Sequence, residues 1–438
     1  MASALDPHAA VVAGASGASP TVTAPGAPLT TADGRPLARA LARSQAKARR
    51  RAFLLVLPLL AFIVITFVIP IGQMLHRSMY NDGFAAHMPQ VSAWFHENPP
   101  GTQPDETAFA ALAADLKTAA DDRTIGIVGT RINYDVPGTR SLFTSTGRKA
   151  KSGFQPPYQA ALVEADPKWA DPQLWRAMRN ASTAYTANFY LAALDRTRDD
   201  QGKVVMAPER QQVYVMLFKR TLLLSLLITF TTFLLGFPIA HLLATLPARK
   251  SNLLMILVLL PFWTSLLVRT TAWMVLLQQQ GVINDILVWL GIIDSNGRLQ
   301  MIYNQMGTII AMTHILLPFM ILPLYSVMRT INPSYVRAAR SLGATSWTAF
   351  RRVYFPLTLP GLGAGALLVF ILAVGYYITP ALVGGSTGQL ISNMIAMHMT
   401  ETLNWSMAAA LAAILLGAVL VLYWIYDRLV GIDNLKLG

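Results

Sequence analysis

Long apolar segments separated by polar ones dominate the pattern of this chain. Six segments carry few or no charged side chains, and they cover residues 53–71, 221–246, 253–277, 306–328, 357–383 and 405–426. About 20 residues of α-helix suffice to cross the hydrocarbon core of a bilayer. The pattern therefore predicts an all-α membrane protein with six transmembrane helices.

The third apolar segment contains one charged side chain, that of Arg269. In a straight helix that begins at residue 253, a rise of about 1.5 Å per residue puts Arg269 about 24 Å along the axis. An arginine side chain at that depth can extend to the outer interface. The alternative interpretation is an ion pair with Asp285 or Glu401 that gates a pathway, because an isolated charge in lipid is costly.

The composition agrees with a membrane protein and removes several kinds of site. The 438 residues are 54% hydrophobic and only 13% charged, which is too apolar for a soluble globular protein. The chain has no cysteine, so disulfides and thiolate metal sites are excluded. His241 and His314 lack a second ligand three or four residues away. We expect no metal site, and we assign both histidines to packing or to hydrogen bonds between helices.

The net charge of +13 is concentrated beside the apolar segments. Residues 77–210 hold 15 basic and 15 acidic side chains, so the excess lies in the rest of the chain. Two loops are basic, with Arg249, Lys250, Arg329, Arg337, Arg340, Arg351 and Arg352. Basic loops stay on the cytoplasmic side of a membrane, so both termini are predicted to be cytoplasmic. Their position beside apolar segments indicates contact with membrane lipid and argues against nucleic-acid binding.

The same pattern divides the chain into parts. They are a disordered, basic cytoplasmic tail at residues 1–51, a first transmembrane helix at 52–76, a periplasmic insertion at 77–210, a five-helix core at 211–430 and a cytoplasmic tail at 431–438. The insertion is predicted to be partly folded, with helices at 108–117 and 172–190. No catalytic spacing occurs in it, so a structural or docking role is favoured, and a contact surface for a binding protein is the alternative.

The loop at residues 332–357 has a pattern of its own. Asn332 and Pro333 can begin a helix. Its apolar side chains fall on one face, at Tyr335, Ala338, Ala339 and Leu342. Gly343 can end this helix in a left-handed conformation. The pattern predicts a second short helix, capped by Ser346, carrying Trp347, Phe350 and Tyr354, and limited by Pro356.

This loop resembles the EAA loop of permeases from ATP-binding-cassette importers. The resemblance rests on Ala338, Ala339, Gly343, Ala344, Phe350 and Pro356. Arg337 stands where that family usually has glutamate. In the family the loop is a coupling helix that docks on a separate ATPase, so the resemblance implies that these seven residues couple this chain to an ATPase dimer. The chain has no phosphate-binding loop of its own, so we expect a non-catalytic subunit without a cofactor, with ATP bound by the partner.

Three further strings are similar to spermidine/putrescine importer permeases: residues 259–294, 317–328 and 375–385. The resemblance covers residues from about 213 to 430 and the first span, although permeases for iron, thiamine, phosphonates and amino-acid-like substrates share parts of it. It implies a multi-pass protein of the bacterial inner membrane that imports a polyamine such as putrescine or spermidine. It also implies a heterodimer with a second homologous permease, and a periplasmic substrate-binding protein as a further partner.

The candidate residues of a substrate pathway are Trp263, Asp285, Tyr376, Tyr377 and Glu401. Pro380 can break the fifth helix and expose backbone groups, and the two tyrosines can present aromatic faces to an organic cation. An interfacial aromatic belt beside a kink is the alternative for the tyrosines, and solvated loop positions are the alternative for the two acids. Similar permeases often have an acid near the position of Tyr376, and this chain has none there.

Two other classes of function compete with an ATP-driven importer. A secondary transporter driven by an ion gradient usually has acids inside the membrane, and the six apolar segments contain none. A membrane scaffold or sensor has no need of a loop that docks on an ATPase. The loop at 332–357 therefore favours the importer.

Overall fold

The computed structural model describes residues 37–430. Helices hold 74% of the chain, which confirms the all-α class. Residues 1–36 of the predicted disordered tail at 1–51, and the predicted cytoplasmic tail at 431–438, lie outside the described residues. Residues 37–51 are not disordered, as predicted, but belong to a helix.

The first of two compact units ends at Ile71. It contains α1 (Leu37–Ile63), a π-helical turn (Val64–Val68) and the start of α2 (Ile69–Arg77). Residues Gln45–Arg77 together are long and apolar enough to cross a membrane. This stretch contains the first predicted apolar segment.

The second unit begins with a group of short helices. They are α3 (Pro89–Glu97), α4 (Glu106–Asp121), α5 (Ile125–Asn133), α6 (Thr139–Ala150), α7 (Tyr158–Ala165), α8 (Pro172–Ala181) and α9 (Asn188–Ala193). Their apolar faces close on one core, whose largest fully buried side chains include Trp169, Phe84, Phe109 and Phe143. The helix expected at 108–117 lies inside α4. The helix expected at 172–190 is two helices, because a turn at 182–187 separates α8 from α9.

A hairpin joins this group to the long helices that follow. Strands β1 (Arg196–Arg198) and β2 (Val204–Met206) pair antiparallel. Just before β1, the buried carboxylate of Asp195 accepts hydrogen bonds from the backbone amides of Val213, Tyr214 and Val215, at 2.9 to 3.1 Å. These amides open the next helix, so the carboxylate satisfies donors that have no partner within it.

The remaining elements contain the long apolar helices and the segments between them. They are α10 (Tyr214–Thr245), α11 (Ala248–Leu259), α12 (Leu266–Leu276), α13 (Val282–Trp289), α14 (Gln305–Thr330), α15 (Ser334–Ser341), α16 (Ser346–Ala349), α17 (Phe355–Gly375), α18 (Ile378–Val383), α19 (Gly385–Gly388), α20 (Ile391–Thr400) and α21 (Trp405–Val430). Within residues 37–430, five helices are long and apolar enough to cross a membrane, or six if the bent pair α11 and α12 forms one span.

Helices α10, α14 and α17 form the centre of this bundle. They approach closely because small residues face Met320 of α14. A Cβ atom added at Gly365 would lie 3.0 Å from the Met320 sulfur, and one added at Gly236 would lie 3.1 Å from its Cγ. Small residues at such crossings let membrane helices pack through extensive van der Waals contact.

Candidate coupling helices and translocation pathway

The first helix of the loop, α15, begins as the sequence predicts. The Asn332 side chain accepts a hydrogen bond from the Ser334 amide at 3.0 Å, and Pro333 lies between them. The helix then ends at Gly343, whose φ is +88°. The Ala344 amide donates to the carbonyl of Ala339 at 3.1 Å, and the Gly343 amide donates to Arg340 at 3.0 Å. This pair of hydrogen bonds is the Schellman motif, which favours glycine at the left-handed position.

The second helix differs from the prediction in two ways. Thr345 caps it in place of Ser346, since the Thr345 hydroxyl accepts from the Thr348 amide at 3.2 Å. Pro356 does not end it, and the helix continues through a π-helical turn (Phe350–Tyr354) into α17. Pro356 is the second residue of α17 and directly follows the π-helical turn. The short second helix is thus the near end of the candidate membrane span Ser346–Gly375.

One side of the loop packs on the bundle. Val336 and Phe350 pack against the core of α10, α14 and α17. The Phe350 ring stacks on Tyr354 at 5.9 Å between centroids and meets Phe237 of α10 edge-on at 6.1 Å. The Tyr354 hydroxyl lies 3.0 Å from Nδ1 of His241, also on α10. The loop is therefore in contact with α10 and continuous with α17.

The other side of the loop exposes large apolar side chains. Tyr335 is 56% exposed, Leu342 is 88% exposed and Trp347 is 68% exposed. The helical spacing of Tyr335 and Leu342 predicts one shared face. Both side chains are exposed, so they do not hold the loop by packing. We call these three side chains, with Ala338 and Gly343, the exposed face of the loop.

Arg337 lies on the exposed surface of α15. Among the described residues, no carboxylate lies within ion-pair distance of it. The two helices of the loop are joined instead by Arg340, which donates to the Ser346 hydroxyl at 2.8 Å. Arg329 joins the end of α14 to the end of α10, because it donates to the carbonyls of Ala244 and Leu246.

The third span is bent by 97° between residues 263 and 266. A 3₁₀ turn (Leu260–Trp263) ends the first arm, and the Ser265 hydroxyl caps the second by accepting from the Val268 amide at 3.1 Å. The prediction that Arg269 lies about 24 Å along one straight helix is therefore wrong. Trp263 lies at the bend and is 85% exposed.

The second arm carries the polar side chains of Arg269 and Trp273. Nη2 of Arg269 donates to the Thr264 carbonyl at 3.4 Å. The His314 ring accepts a hydrogen bond from the Trp273 indole at 3.1 Å. Nε of Arg269 is buried without a hydrogen-bond partner. No described ion pair joins Arg269 to Asp285 or Glu401, so the gating pair is wrong for this conformation.

The fifth span breaks at Tyr376 and Tyr377, between α17 and α18. The sequence predicts a break near Pro380, and the structure has it three residues earlier, with Pro380 inside α18. The carbonyls freed by the break are not open to a pathway. Ser392 donates to the Tyr376 carbonyl at 2.6 Å, and Asn393 donates to the Tyr377 carbonyl at 2.8 Å.

The structure brings some of the predicted pathway residues together and separates others. Tyr376 and Tyr377 lie together at the break of the fifth span, where Tyr377 is 46% exposed. Asp285 lies in the first turn of α13, where it forms an ion pair with Arg298 at 2.8 Å. Glu401 is an exposed residue at the end of α20. The two acids thus occupy the surface positions that were the alternative interpretation.

Sequence reasoning missed α20 and its contribution to the break. Its residues follow the fifth apolar segment and were assigned to a loop. The local signal is weak, because Ser392, Asn393 and His398 do not recur at the three- or four-residue spacing of one helical face. Asn393 also accepts from the Leu390 amide at 2.9 Å. A single side chain thus caps α20 and donates to the Tyr377 carbonyl at the break.

The chain is similar to known transport proteins. A family model described as "binding-protein-dependent transport system inner membrane component" matches residues 217–431. The spermidine/putrescine transport system permease protein PotB of Salmonella typhimurium (strain SL1344) is 36% identical over 245 residues, which cover 54% of this chain and 85% of PotB. PotB of Escherichia coli (strain K12) is also 36% identical, over 88% of its length. The inner membrane ABC transporter permease protein YdcU of Escherichia coli (strain K12) is 34% identical, over 44% of this chain and 64% of YdcU.

Among solved structures, a bacterial ABC transporter involved in the import of the acidic polysaccharide alginate is 19% identical, with a TM-score of 0.41 over 51% of this chain and 80% of that chain. The identity with PotB, which extends over most of that relative, identifies the family. The chain belongs to the inner-membrane permeases of binding-protein-dependent ABC transport systems.

Proposed function

We propose that this permease subunit imports a polyamine of the putrescine or spermidine type across the bacterial inner membrane. The observation that carries the proposal is 36% identity with PotB over 85% of that protein, because the matched part contains the spans that would line a pathway. The exposed ring of Tyr377 at the break of the fifth span supports it, since an aromatic face attracts an organic cation.

The exposed face of the loop is the proposed docking site for the ATPase subunits. It presents Tyr335, Leu342 and Trp347 to solvent on a loop that is fixed from behind by Phe350 and Tyr354. Large exposed apolar groups on a rigid support are typical of a protein interface. The proposed orientation puts this loop in the cytoplasm, together with both termini, because its arginines lie in a loop without acids.

The remaining proposed partners follow from the symmetry of such an importer. This chain has one coupling loop, and an ATPase dimer has two equivalent faces. A second, homologous permease would supply the other loop, giving a heterodimer. A soluble binding protein would deliver substrate on the other side of the membrane, where residues 77–210 would form the periplasmic insertion.

Arg269 favours a second candidate, an importer of a substrate that bears a carboxylate or phosphonate. Its Nε is buried without a hydrogen-bond partner, and the three helices at the centre of the bundle, α10, α14 and α17, contain no acid. A fixed positive charge in a region of low dielectric attracts an anionic group and repels a dication.

One experiment separates the two candidates. The permease is reconstituted in liposomes with its copurified partner chains, and uptake of radiolabelled putrescine, spermidine and glutamate is measured for the wild type, Arg269→Gln and Arg269→Lys. Uptake of a polyamine that is unchanged or faster in Arg269→Gln supports the proposal. Uptake of glutamate alone, weakened about tenfold in Arg269→Gln and retained in Arg269→Lys, would replace it with the second candidate.

A further inference from the structure

A cavity of about 420 Å³ opens on the surface of the helical group that precedes β1. The start of α5 forms one wall, with Gly126 at its edge. Three arginines line it, Arg123, Arg131 and Arg140, and no carboxylate does. The cavity lies outside residues 217–431, the part of the chain that the family model matches. Its charge is wrong for a polyamine, so it is not a second site for the proposed substrate.

Arg131 forms the buried part of this cavity. The residue is 3% exposed, and its guanidinium lies 5.1 Å from the centre of the Phe189 ring. Nη1 donates to Asp135 at 2.8 Å, but Nε is buried without a partner. Asp135 and the Phe189 ring hold this guanidinium in place, so Arg131 is a fixed positive charge in the cavity wall.

Arg123 and Arg140 are exposed at the cavity rim. Arg123 has a φ of +61°, which is unusual for a residue with a side chain and holds the turn between α4 and α5 in one shape. At Gly126 a Cβ atom would meet nothing within 4 Å, so the space beside this wall of the cavity is open. Two exposed guanidinium groups together with a buried one suit an oxyanion, because a guanidinium can donate two parallel hydrogen bonds to it.

We propose that this cavity binds a small molecule that carries a carboxylate or phosphate group. The three arginines would hold the oxyanion, and the first backbone amides of α5 would add favourable dipoles. The rest of the ligand would lie along Thr130 and Tyr134 on the same wall.

The cavity is connected directly to the last span. The Tyr134 hydroxyl donates to the carbonyl of Leu403 at 3.0 Å, and the Asn81 amide donates to the Ser406 hydroxyl at 3.1 Å. Leu403 has a φ of +54°, and α21 begins two residues later. A ligand that orders the Tyr134 wall would therefore also order the start of α21, which makes the site suited to modulating transport.

The test measures binding to the full-length chain in nanodiscs by isothermal titration calorimetry at constant ionic strength. The probes are inorganic phosphate, succinate and, as an uncharged control, glycerol. The variants are Arg123→Gln with Arg140→Gln, which removes two rim donors, and Gly126→Phe, which fills the open space. Arg148→Gln is the matched control, because Arg148 is exposed on the same helix as Arg140 but does not line the cavity.

We expect saturable binding of at least one anionic probe, and none of glycerol. Binding should weaken about tenfold or more in the double variant, because two charged donors are lost, and it should be lost in Gly126→Phe, because the ring fills the space. Arg148→Gln should bind as the wild type does.

Equal weakening in Arg148→Gln, or no saturable binding of phosphate or succinate, would overturn the proposal. None of these outcomes depends on the identity of the transported substrate.

Discussion

Single residues determine the shape of the loop at 332–357. Gly343 gives α15 its left-handed end, and Arg340 spans the turn to Ser346. The role of Gly343 could be predicted from the sequence, because a left-handed φ at a helix end is a local requirement that glycine meets. The partner of Arg340 could not be predicted, because it depends on the angle between two helices. Arg337 itself could only be noted as a departure from the usual glutamate.

Replacing Gly343 with valine should damage coupling. A branched residue at φ +88° costs about 1–3 kcal/mol, so the turn should distort and the exposed face should change shape. We expect Gly343→Val to lose most substrate-stimulated ATP hydrolysis in the reconstituted complex. Gly343→Asn is the matched control, since asparagine tolerates this conformation, and it should retain more activity than the valine variant. Equal activity of both variants and the wild type would show that the turn does not matter.

Asp115 should make the stability of the helical group depend on pH. This carboxyl is 1% exposed and accepts from the Val91 amide at 2.8 Å, but burial raises its pKa from 3.8 to about 6. The folded state therefore binds the proton more tightly than the unfolded state. The contribution of the protonated carboxyl to the free energy of unfolding is fully present below about pH 3.8. This contribution, about 3 kcal/mol, is lost as pH rises through 6.

The measurement is the thermal unfolding midpoint followed by tryptophan fluorescence, at pH 5 and pH 7.5. Asp115→Asn should reduce the difference between the two midpoints, because asparagine keeps an acceptor and does not ionise. Asp121→Asn, at an exposed position on the same helix, should leave the difference unchanged. An unchanged difference in Asp115→Asn would contradict the assignment to Asp115.

At the scale of elements, interrupted helices distinguish this bundle from a set of straight spans. Hydropathy predicted the six apolar segments, because the length and composition of a segment are enough to identify it as a candidate span. It could not predict the 97° bend of the third span, since hydropathy carries no direction. Pro261 and Ser265 were local signals of that bend, as a turn former and a cap. The break at Tyr376 was predicted near Pro380, but its partners on α20 were not, because they lie 16 residues away.

Asn393 should be essential for the break in the fifth span. Its side chain donates to the Tyr377 carbonyl and accepts from the Leu390 amide, so alanine leaves two buried backbone groups without partners. Asn393→Ala should cost about 1–3 kcal/mol for each such group and lower the midpoint of thermal unfolding in nanodiscs. Thr400→Ala is the control, because its hydroxyl is exposed on α20 and bonds only within that helix. Equal midpoints for the two variants would mean that water replaces the amide of Asn393.

At the scale of the whole molecule, the second unit connects an unmatched helical group to a permease bundle. Asp195 holds the start of α10, and Tyr134 holds the loop that begins α21. The helical group is therefore attached to the second and the last of the long helices. At the other end of the same bundle, Tyr354 and Arg329 join the loop at 332–357 to α10. Helix α10 thus connects the two ends, and a movement of the loop has a direct route to the helical group.

The central claim is that the exposed face of the loop contacts an ATPase in the cytoplasm. The chain has no cysteine, so a single cysteine can be introduced without removing others. Leu342→Cys places it on the loop, at a position that is 88% exposed. Gln201→Cys is the control, on the exposed turn of the β1–β2 hairpin.

The most direct measurement is cross-linking of these two variants to the copurified ATPase, with labelling of intact spheroplasts by a membrane-impermeant maleimide. The account predicts that Leu342→Cys cross-links to the ATPase, in an amount that changes when ATP is added, and that the maleimide does not label it. Gln201→Cys should be labelled and should form no such cross-link. Labelling of Leu342→Cys from outside, or an ATPase cross-link from Gln201→Cys in its place, would contradict both the orientation and the coupling role of the loop.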